Sequence, residues 1–314
     1  MNPALPPALT AALDRALEGV SRKALVQAAR KLSAGYRGGQ TSKGLGTPTD
    51  ALGYALARMP ATYAACAAAF SRLGAVMPDF APARVLDAGA GTGAASWAAW
   101  ATWPGITAIT MLDANPALRA LARSLADQGL PPTDIAAGGL ASADGTHDLV
   151  VASYVLAEMS EADAVVAARD LWRHAAQALV LVEPGTPRGF ARIRAARAAL
   201  IAAGAHVAAP CTHDNSCPMR GDDWCHFSQR LPRSRDHMLL KDANVPFEDE
   251  RYAYVVVTCE SMARGARILA PPLESKPGLT FKLCDETGLR AQFVASRDKD
   301  AYRRVRKSGW GDLL

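Results

Sequence analysis

The chain has 314 residues, half of them apolar and 21% charged, a balance that suits a folded globular protein and excludes a disordered or low-complexity one. No apolar run approaches the roughly 18 residues of a membrane span, so no membrane role is expected. The formal net charge is only +5, yet residues 290–307 alone hold seven Lys/Arg against two Asp, so the excess sits in the C-terminal tail.

The first residues lack a basic segment followed by an apolar core, and the expected localisation is cytoplasmic, where thiols stay reduced. Six cysteines are then read as ligands or core residues rather than disulfides. Residues 1–80 read as a helical extension. "PALTAALDRALEGV" and "RKALVQAARKLSAGYR" repeat apolar residues at helical spacing, and "GGQTSKGLGTPTD" (38–50) interrupts them. A further helix, "ALGYALARMPATYAACAAAFSRLGAV", follows, with Pro60 expected to kink or bound it.

From about residue 82 strands and helices alternate. "ARVLDAGAGTG", "ITAITMLDAN", "HDLVVASYVL" and "ALVLVEP" read as strands. "ASWAAWATW", "PALRALARSLADQGL" and "EADAVVAARDLWRHA" read as the helices between them. This implies βαβ units around a parallel sheet covered on both faces, an α/β core over residues 81–205. After "RGFARIRAARAALIAAG", with Arg188, Arg192, Arg194 and Arg197, comes a Cys-rich segment (206–250). A β-rich segment with a basic tail (251–314) completes the chain.

The strongest local motif is "VLDAGAGTG". Asp87 closes a strand, Gly89, Gly91 and Gly93 follow at alternate positions, and a helix begins at once. Such glycines let a ligand approach main-chain N–H groups at a helix N-terminus. The pattern also satisfies GxGxxG/A, so NAD(P) or FAD remains open, as does a turn with no ligand. The acid–x–Gly–x–Gly–x–Gly form resembles motif I of the class I S-adenosylmethionine (SAM) methyltransferases. That resemblance implies SAM at Asp87, Gly89, Gly91 and Gly93, with Asp113 of "TMLDANP" on the ribose and Ser153 at the mouth. No acid ends the third strand, where the family often contacts adenine. "VASYVLAEM" lacks the Asn/Asp-Pro-Pro-aromatic tetrad of amino-methylating enzymes, and no cysteine occupies the strand ends that cytosine-C5 enzymes use. The catalytic residue is therefore left unassigned. Ser153, Tyr154 and Glu158 stand near the mouth, and each is equally read as a cap or packing residue.

Cys211, Cys217 and Cys225 crowd "APCTHDNSCPMRGDDWCHFSQR", a loop too polar to fold around its own apolar mass. Neither gap between them is a CxxC knuckle. Metal binding would supply the missing organisation, and buried thiols are the other reading. "PATYAA", the glycine turn, "VEPGTPRGF", "APCTHDNSCP", "WCHFSQR", "PFEDERYAYVVV", "RILAPPL" and "LCDETG" occur in this order. Together they resemble a family of methyltransferase-like proteins of the small ribosomal subunit, whose mitochondrial members are assembly factors and whose bacterial relatives share the pattern. The resemblance implies a [4Fe–4S] cluster on Cys211, Cys217, Cys225 and Cys284, with zinc as the alternative metal. Cys259 is the runner-up fourth ligand, Cys66 reads as core, and His213 and His226 read as neighbours of the site or RNA-facing groups, with zinc ligation the other reading.

Arg230, Arg233 and Arg235 follow the third cysteine directly. Arg303, Arg304, Arg306 and Lys307 lie in the tail beside Tyr302 and Trp310. Cations interleaved with aromatics suit RNA, and a solvated basic tail is the plainer reading. In the family context these residues are expected to contact small-subunit ribosomal RNA in a pre-small ribosomal subunit, the chain being a monomer off the ribosome. The expected function is SAM-dependent rRNA methylation, or RNA-binding assembly work on a SAM-fold scaffold.

Overall fold

The computed structural model of the chain describes residues 3–37, 44–262 and 265–314. Three helices come first: α1 (Pro7–Ala16), α2 (Arg22–Arg37) and α3 (Pro48–Val76). Of the loop expected at 38–50, residues 38–43 lie outside the described residues. Its end starts α3 through a capping box, in which the Thr47 hydroxyl accepts from the Asp50 N–H and the Asp50 carboxylate from the Thr47 N–H, both at 3.1 Å. The helix then runs unbroken through Pro60, correcting the boundary expected there. An interior proline costs about 3 kcal/mol. Here the neighbouring Met59, Ala61, Tyr63, Ala64 and Ala65 are all buried, and that packing outweighs the loss.

The alternating region forms β1 (Arg84–Ala88), α4 (Ala94–Thr102), β2 (Ala108–Asp113), α5 (Pro116–Ala126), β3 (Thr133–Ala137), β4 (His147–Ser153), α6 (Glu161–Trp172), β5 (Ala175–Pro184) and α7 (Pro187–Ala202). Next come β6 (His206–Ala209), β7 (Phe227–Pro232), α8 (Arg235–Lys241) and β8 (Phe247–Thr258). The sheet order is β3-β2-β1-β4-β5-β8-β6, with β7 also paired to β8. Strands β1 to β5 are parallel, and β8 runs antiparallel to both β5 and β6. A doubly wound sheet with one antiparallel strand slotted between its fifth and sixth strands is the class I SAM-methyltransferase architecture. Strands β4 and β5 are near-continuous Val, Leu and Ala because both their faces are covered. The sheet reaches Thr258, past residue 205, because the Cys-rich loop, β7 and α8 are inserted between β6 and β8.

A second, four-stranded sheet holds β9 (Arg267–Ile268), β10 (Leu273–Ser275), β11 (Gly278–Asp285) and β12 (Gly288–Ala295), followed by α9 (Lys299–Val305). Ile268, Leu279, Phe281, Leu283 and Val294 form its own small core against Ala301, Tyr302 and Val305. The chain end returns to it, with the Gly311 N–H donating to the Ile268 carbonyl at 2.9 Å. Among the described residues no helix is long and apolar enough to cross a membrane.

Candidate cofactor cleft and four-cysteine site

The glycine turn leaves β1 with all three glycines at positive φ: Gly89 at 74°, Gly91 at 56° and Gly93 at 84°. The N–H groups of Gly89 and Ala90 donate to the Leu112 carbonyl, tying the turn to the end of β2. The Asp113 carboxylate accepts from the Gly91 N–H at 2.8 Å and from the Asn115 N–H at 2.7 Å. It thus braces the turn from the neighbouring strand end. Asp87 lies beneath, fully buried, accepting from the Ser96 N–H (3.0 Å) and hydroxyl (2.7 Å) in the first turn of α4. Burial pushes its carboxyl up to about 6.

Gly89, Gly91, Asp113 and Ser153 line one cleft of about 1220 Å³, whereas Asp87 and Gly93 shape the turn from behind it. A cleft of that size exceeds the roughly 300–1,000 Å³ of a small-molecule pocket, leaving room beside a nucleoside. A Cβ on Gly91 would project into this space, meeting nothing nearer than the Tyr54 ring at 3.8 Å. The turn is therefore open to close approach of a ligand at Gly91.

The cleft also has a lining rich in cations. Arg30, Arg58, Arg188, Arg192, Arg233 and Lys241 line it, against the acids Asp113, Glu158 and Asp242. Of these cations only Arg233 was expected on sequence grounds to meet RNA. The others come from α2, α3, α7 and α8, and only the fold gathers them. Arg233 and Lys241 share Glu248, with Arg233 Nε at 3.3 Å, and the buried His237 lies 3.2 Å from the same carboxylate. Burial alone would raise Glu248, but hydrogen bonds from His237 and Lys241 overcome it and bring the carboxyl to about 2.

Tyr154, directly after β4, is held at φ 59°, where a side chain other than glycine's is strained. Its hydroxyl donates to Glu250 Oε1 at 2.7 Å, and the Arg58 guanidinium lies 5.9 Å from its ring centroid. Glu183, at the end of β5, is fully buried and accepts from the Leu156 N–H at 2.9 Å, fixing the loop that carries Tyr154. Burial pushes this carboxyl up to about 8. Arg192 closes the same loop by donating from Nε and Nη2 to the Met159 carbonyl.

On the other side of α7, Cys211, Cys217, Cys225 and Cys284 border a single cavity with Phe190, Met219 and Leu269. Cys211 follows β6, and Cys284 stands on β11 opposite Leu289 and Arg267. The polar loop between is pinned at three places. Asp214 accepts from the Val207 N–H at 2.9 Å, Asn215 donates to the Glu286 carbonyl at 3.3 Å, and the Trp224 indole donates to the Gly185 carbonyl at 3.0 Å. Burial raises the Cys211 thiol, raises Cys225 strongly, and pushes Cys284 up to about 12. The thiols surround the cavity rather than closing on one point: among the described residues no three His, Cys, Asp or Glu side chains are placed to hold a single metal ion.

His213 is buried with Nε2 3.5 Å from the Cys284 sulfur. His226 instead stacks on Trp224 at 5.2 Å and meets the Trp310 ring edge-on. Cys259 is exposed at the end of β8, its sulfur 3.3 Å from the Ala176 carbonyl and outside the cavity. Cys66 is buried in the core. Three guanidiniums absent from the candidate residues of the sequence analysis also line the cavity: Arg194, which is exposed, and the buried Arg197 and Arg267.

The other basic candidates lie apart. Arg230 is engaged by Asp249 through two hydrogen bonds (2.7 and 2.8 Å) and lies 4.1 Å over the Phe247 ring. Arg235 is exposed at the start of α8. Arg303, Arg304, Arg306 and Lys307 are exposed along and just beyond α9.

Comparison with known proteins supplies the rest. The chain is 30% identical over 318 residues to the Homo sapiens ribosome assembly protein METTL17, mitochondrial, covering 93% of this chain and 67% of that protein. It is 28% identical to the Rsm22-cox11 tandem protein 2, mitochondrial, of Schizosaccharomyces pombe, covering 85% of this chain and 43% of that one. The chain thus spans less than half of the fission-yeast relative. Similar solved structures include the magnesium protoporphyrin IX methyltransferase of Synechocystis with bound SAH (14% identity, 64% of this chain and 84% of that one, TM-score 0.44). Another is a putative RNA methyltransferase of Pyrococcus horikoshii (13% identity, 64% and 83%, TM-score 0.44). A family model described as mitochondrial small ribosomal subunit Rsm22 matches residues 48–314. The chain belongs to the Rsm22 family.

Proposed function

We propose that the chain is a SAM-binding protein that engages small-subunit ribosomal RNA during assembly or maturation of a pre-small ribosomal subunit, and that it carries a [4Fe–4S] cluster as a structural centre. The observation that carries this reading is the cleft: an intact glycine turn braced by Asp113 shares with six cations a space larger than a nucleoside fills. Bound SAM supplies an electrophilic methyl group. Gly91 offers the close approach, Asp113 has lone pairs left for ribose hydroxyls, and Ser153 and Tyr154 stand at the mouth. Arg30, Arg58 and Arg188 suit the phosphates of a strand laid across the opening. Arg233, Arg235 and, once released from Asp249, Arg230 extend that track. Arg303, Arg304, Arg306 and Lys307 offer a second contact.

The donor set fits the cluster. Four thiols of two distant segments border one cavity with an apolar collar, the usual complement for a cubane. Thiols arrayed around a space suit a cluster better than a lone zinc, which needs its ligands about 2.3 Å away. The centre would clip the Cys-rich loop onto β11. We place the protein in a bacterial cytoplasm, as a monomer off the ribosome.

A second reading, a non-catalytic assembly factor on a SAM-fold scaffold, is favoured by Tyr154. Its hydroxyl, the nearest candidate at the mouth, is already engaged by Glu250. Methyl incorporation into small subunits from a deletion strain, complemented with the parent or with Asp87→Ala, separates the two. Label that appears only with the parent supports catalysis. Full rescue of growth by Asp87→Ala assigns the essential role to assembly. Anaerobic purification tests the metal, since a colourless zinc protein would replace the cluster with zinc.

A further inference from the structure

We propose that Arg197 and Arg267 are buried counter-charges that make the four-cysteine cavity selective for an anionic centre. The inference rests on the tetrathiolate reading above and adds the residues that balance its charge. Arg197, on α7, is 4% exposed and Arg267, on β9, is 2% exposed; both line the cavity with the four cysteines. Arg267 donates from Nε to the Pro210 carbonyl at 2.7 Å and from Nη1 to the Gly311 carbonyl at 2.8 Å. Arg197 donates from Nη2 to the His213 carbonyl at 2.6 Å, and its Nε is buried with no hydrogen-bond partner. Carbonyl dipoles orient these guanidiniums without neutralising them. Among the described residues neither forms an ion pair, and the carboxylate nearest in sequence to the Arg267 contacts, Asp312, is paired with Arg72 at 2.9 Å.

Burying a cation without a counter-charge costs several kcal/mol. Among the described residues no carboxylate lines the cavity to meet that cost. A tetrathiolate centre reverses the balance. Four thiolates on an oxidised cubane, or on zinc, leave two net negative charges, which two guanidiniums match. The unpartnered Nε–H of Arg197 then has an acceptor in the ligand sulfurs or the centre itself. The arginines therefore destabilise the empty chain and stabilise the loaded one.

That opposition of signs is the test. The full chain is prepared anaerobically with its centre, and again after stripping with a chelator, as the parent, Arg197→Met, Arg267→Met, Arg267→Gln and Arg267→Lys. Methionine removes the charge and keeps much of the volume; glutamine keeps a donor for the carbonyls; lysine keeps the charge. Thermal midpoints of both forms, metal and sulfide per chain, and the rate of metal loss to chelator are measured. The charge-removing variants should melt higher than the parent when stripped, yet release metal about 10–100-fold faster when loaded. Arg267→Lys should retain metal close to the parent. In an iron–sulfur form, the Arg→Met variants should also have a more negative reduction midpoint, because the reduced centre carries more negative charge. Equal destabilisation of both forms by Met and Gln would overturn the proposal, leaving the arginines as ties to carbonyls. A parent chain that takes up neither iron with sulfide nor zinc would instead remove the tetrathiolate reading beneath it.

Discussion

Alanine at Gly91 separates cofactor binding from folding. The residue sits at φ +56°, in the left-handed region, where a Cβ costs roughly 1–2 kcal/mol. That Cβ would meet nothing closer than the Tyr54 ring at 3.8 Å, so no repacking penalty adds to the strain. A loss of this size lowers the thermal midpoint of a large domain by about 2–6 °C. Gly93 provides the contrast: it sits at φ +84°, and its Cβ would fall 2.9 Å from Met111 Cε and 3.2 Å from Sδ. Crowding the core adds about 1–3 kcal/mol, so Gly93→Ala should melt well below Gly91→Ala. The methyl group of Gly91→Ala instead occupies the space through which a ligand reaches the turn. SAM affinity measured by titration calorimetry should fall by about tenfold or more, equivalent to about 1.4 kcal/mol, while the midpoint of the same sample shifts only by those few degrees. A Gly91→Ala chain that binds SAM as tightly as its parent would refute the assignment of this turn to the cofactor.

Stability should carry the mark of Glu183. Its carboxyl titrates near 8 when folded but near 4.5 in an ordinary setting, so the folded form holds a proton that the unfolded chain has released between those values. Stability is full below about pH 4.5 and declines as pH rises toward 8, by at most a few kcal/mol. Asp87 adds a decline of the same sign up to about pH 6. Glu183→Gln should therefore flatten the midpoint-versus-pH profile between pH 5 and 8, and an unchanged slope would contradict the burial argument. Cys284→Ser should release the Cys-rich loop from β11, seen as faster proteolysis within 211–226 in loaded protein; protection equal to the parent's would exclude Cys284 as a ligand. Neutralising Arg303, Arg304, Arg306 and Lys307 together should reduce the salt dependence of single-stranded RNA binding by about 0.7 for each phosphate that these side chains no longer neutralise. Arg230→Ala should change it less than any tail residue does, because Asp249 already engages that guanidinium.

Local patterns carried much of this architecture. The glycine turn, the alternating strands and helices, and the strand character of 252–258 and 278–285 are short-range signals, and each appears in the fold where periodicity placed it. Pro60 shows the limit, since helix continuity there depends on neighbours on every side. The slotting of β8 between β5 and β6 is likewise invisible to spacing, because the Cys-rich loop, β7 and α8 intervene. Cys211, Cys217 and Cys225 are close in sequence, but Cys284 joins them only through the register of β11, and a resemblance was needed to name it. Apart from Arg233, the cleft cations come from four separate helices and could not be grouped beforehand. One signal was readable: Arg188 and Arg192 stand four apart, Arg194 and Arg197 three apart, and the two pairs fall on opposite sides of one helix.

Helix α7 is accordingly a partition with a cavity on each side. Arg188, Gly189 and Arg192 look into the cleft, while Phe190, Ile193, Arg194 and Arg197 look into the cysteine cavity. Its first turn has no slack, because a Cβ on Gly189 would fall 2.0 Å from the Pro184 carbonyl oxygen. A stiff rod seated this tightly cannot roll on one flank without rolling on the other. A change of packing at the cysteine cavity would thereby shift Arg188 and Arg192 in the cleft as well.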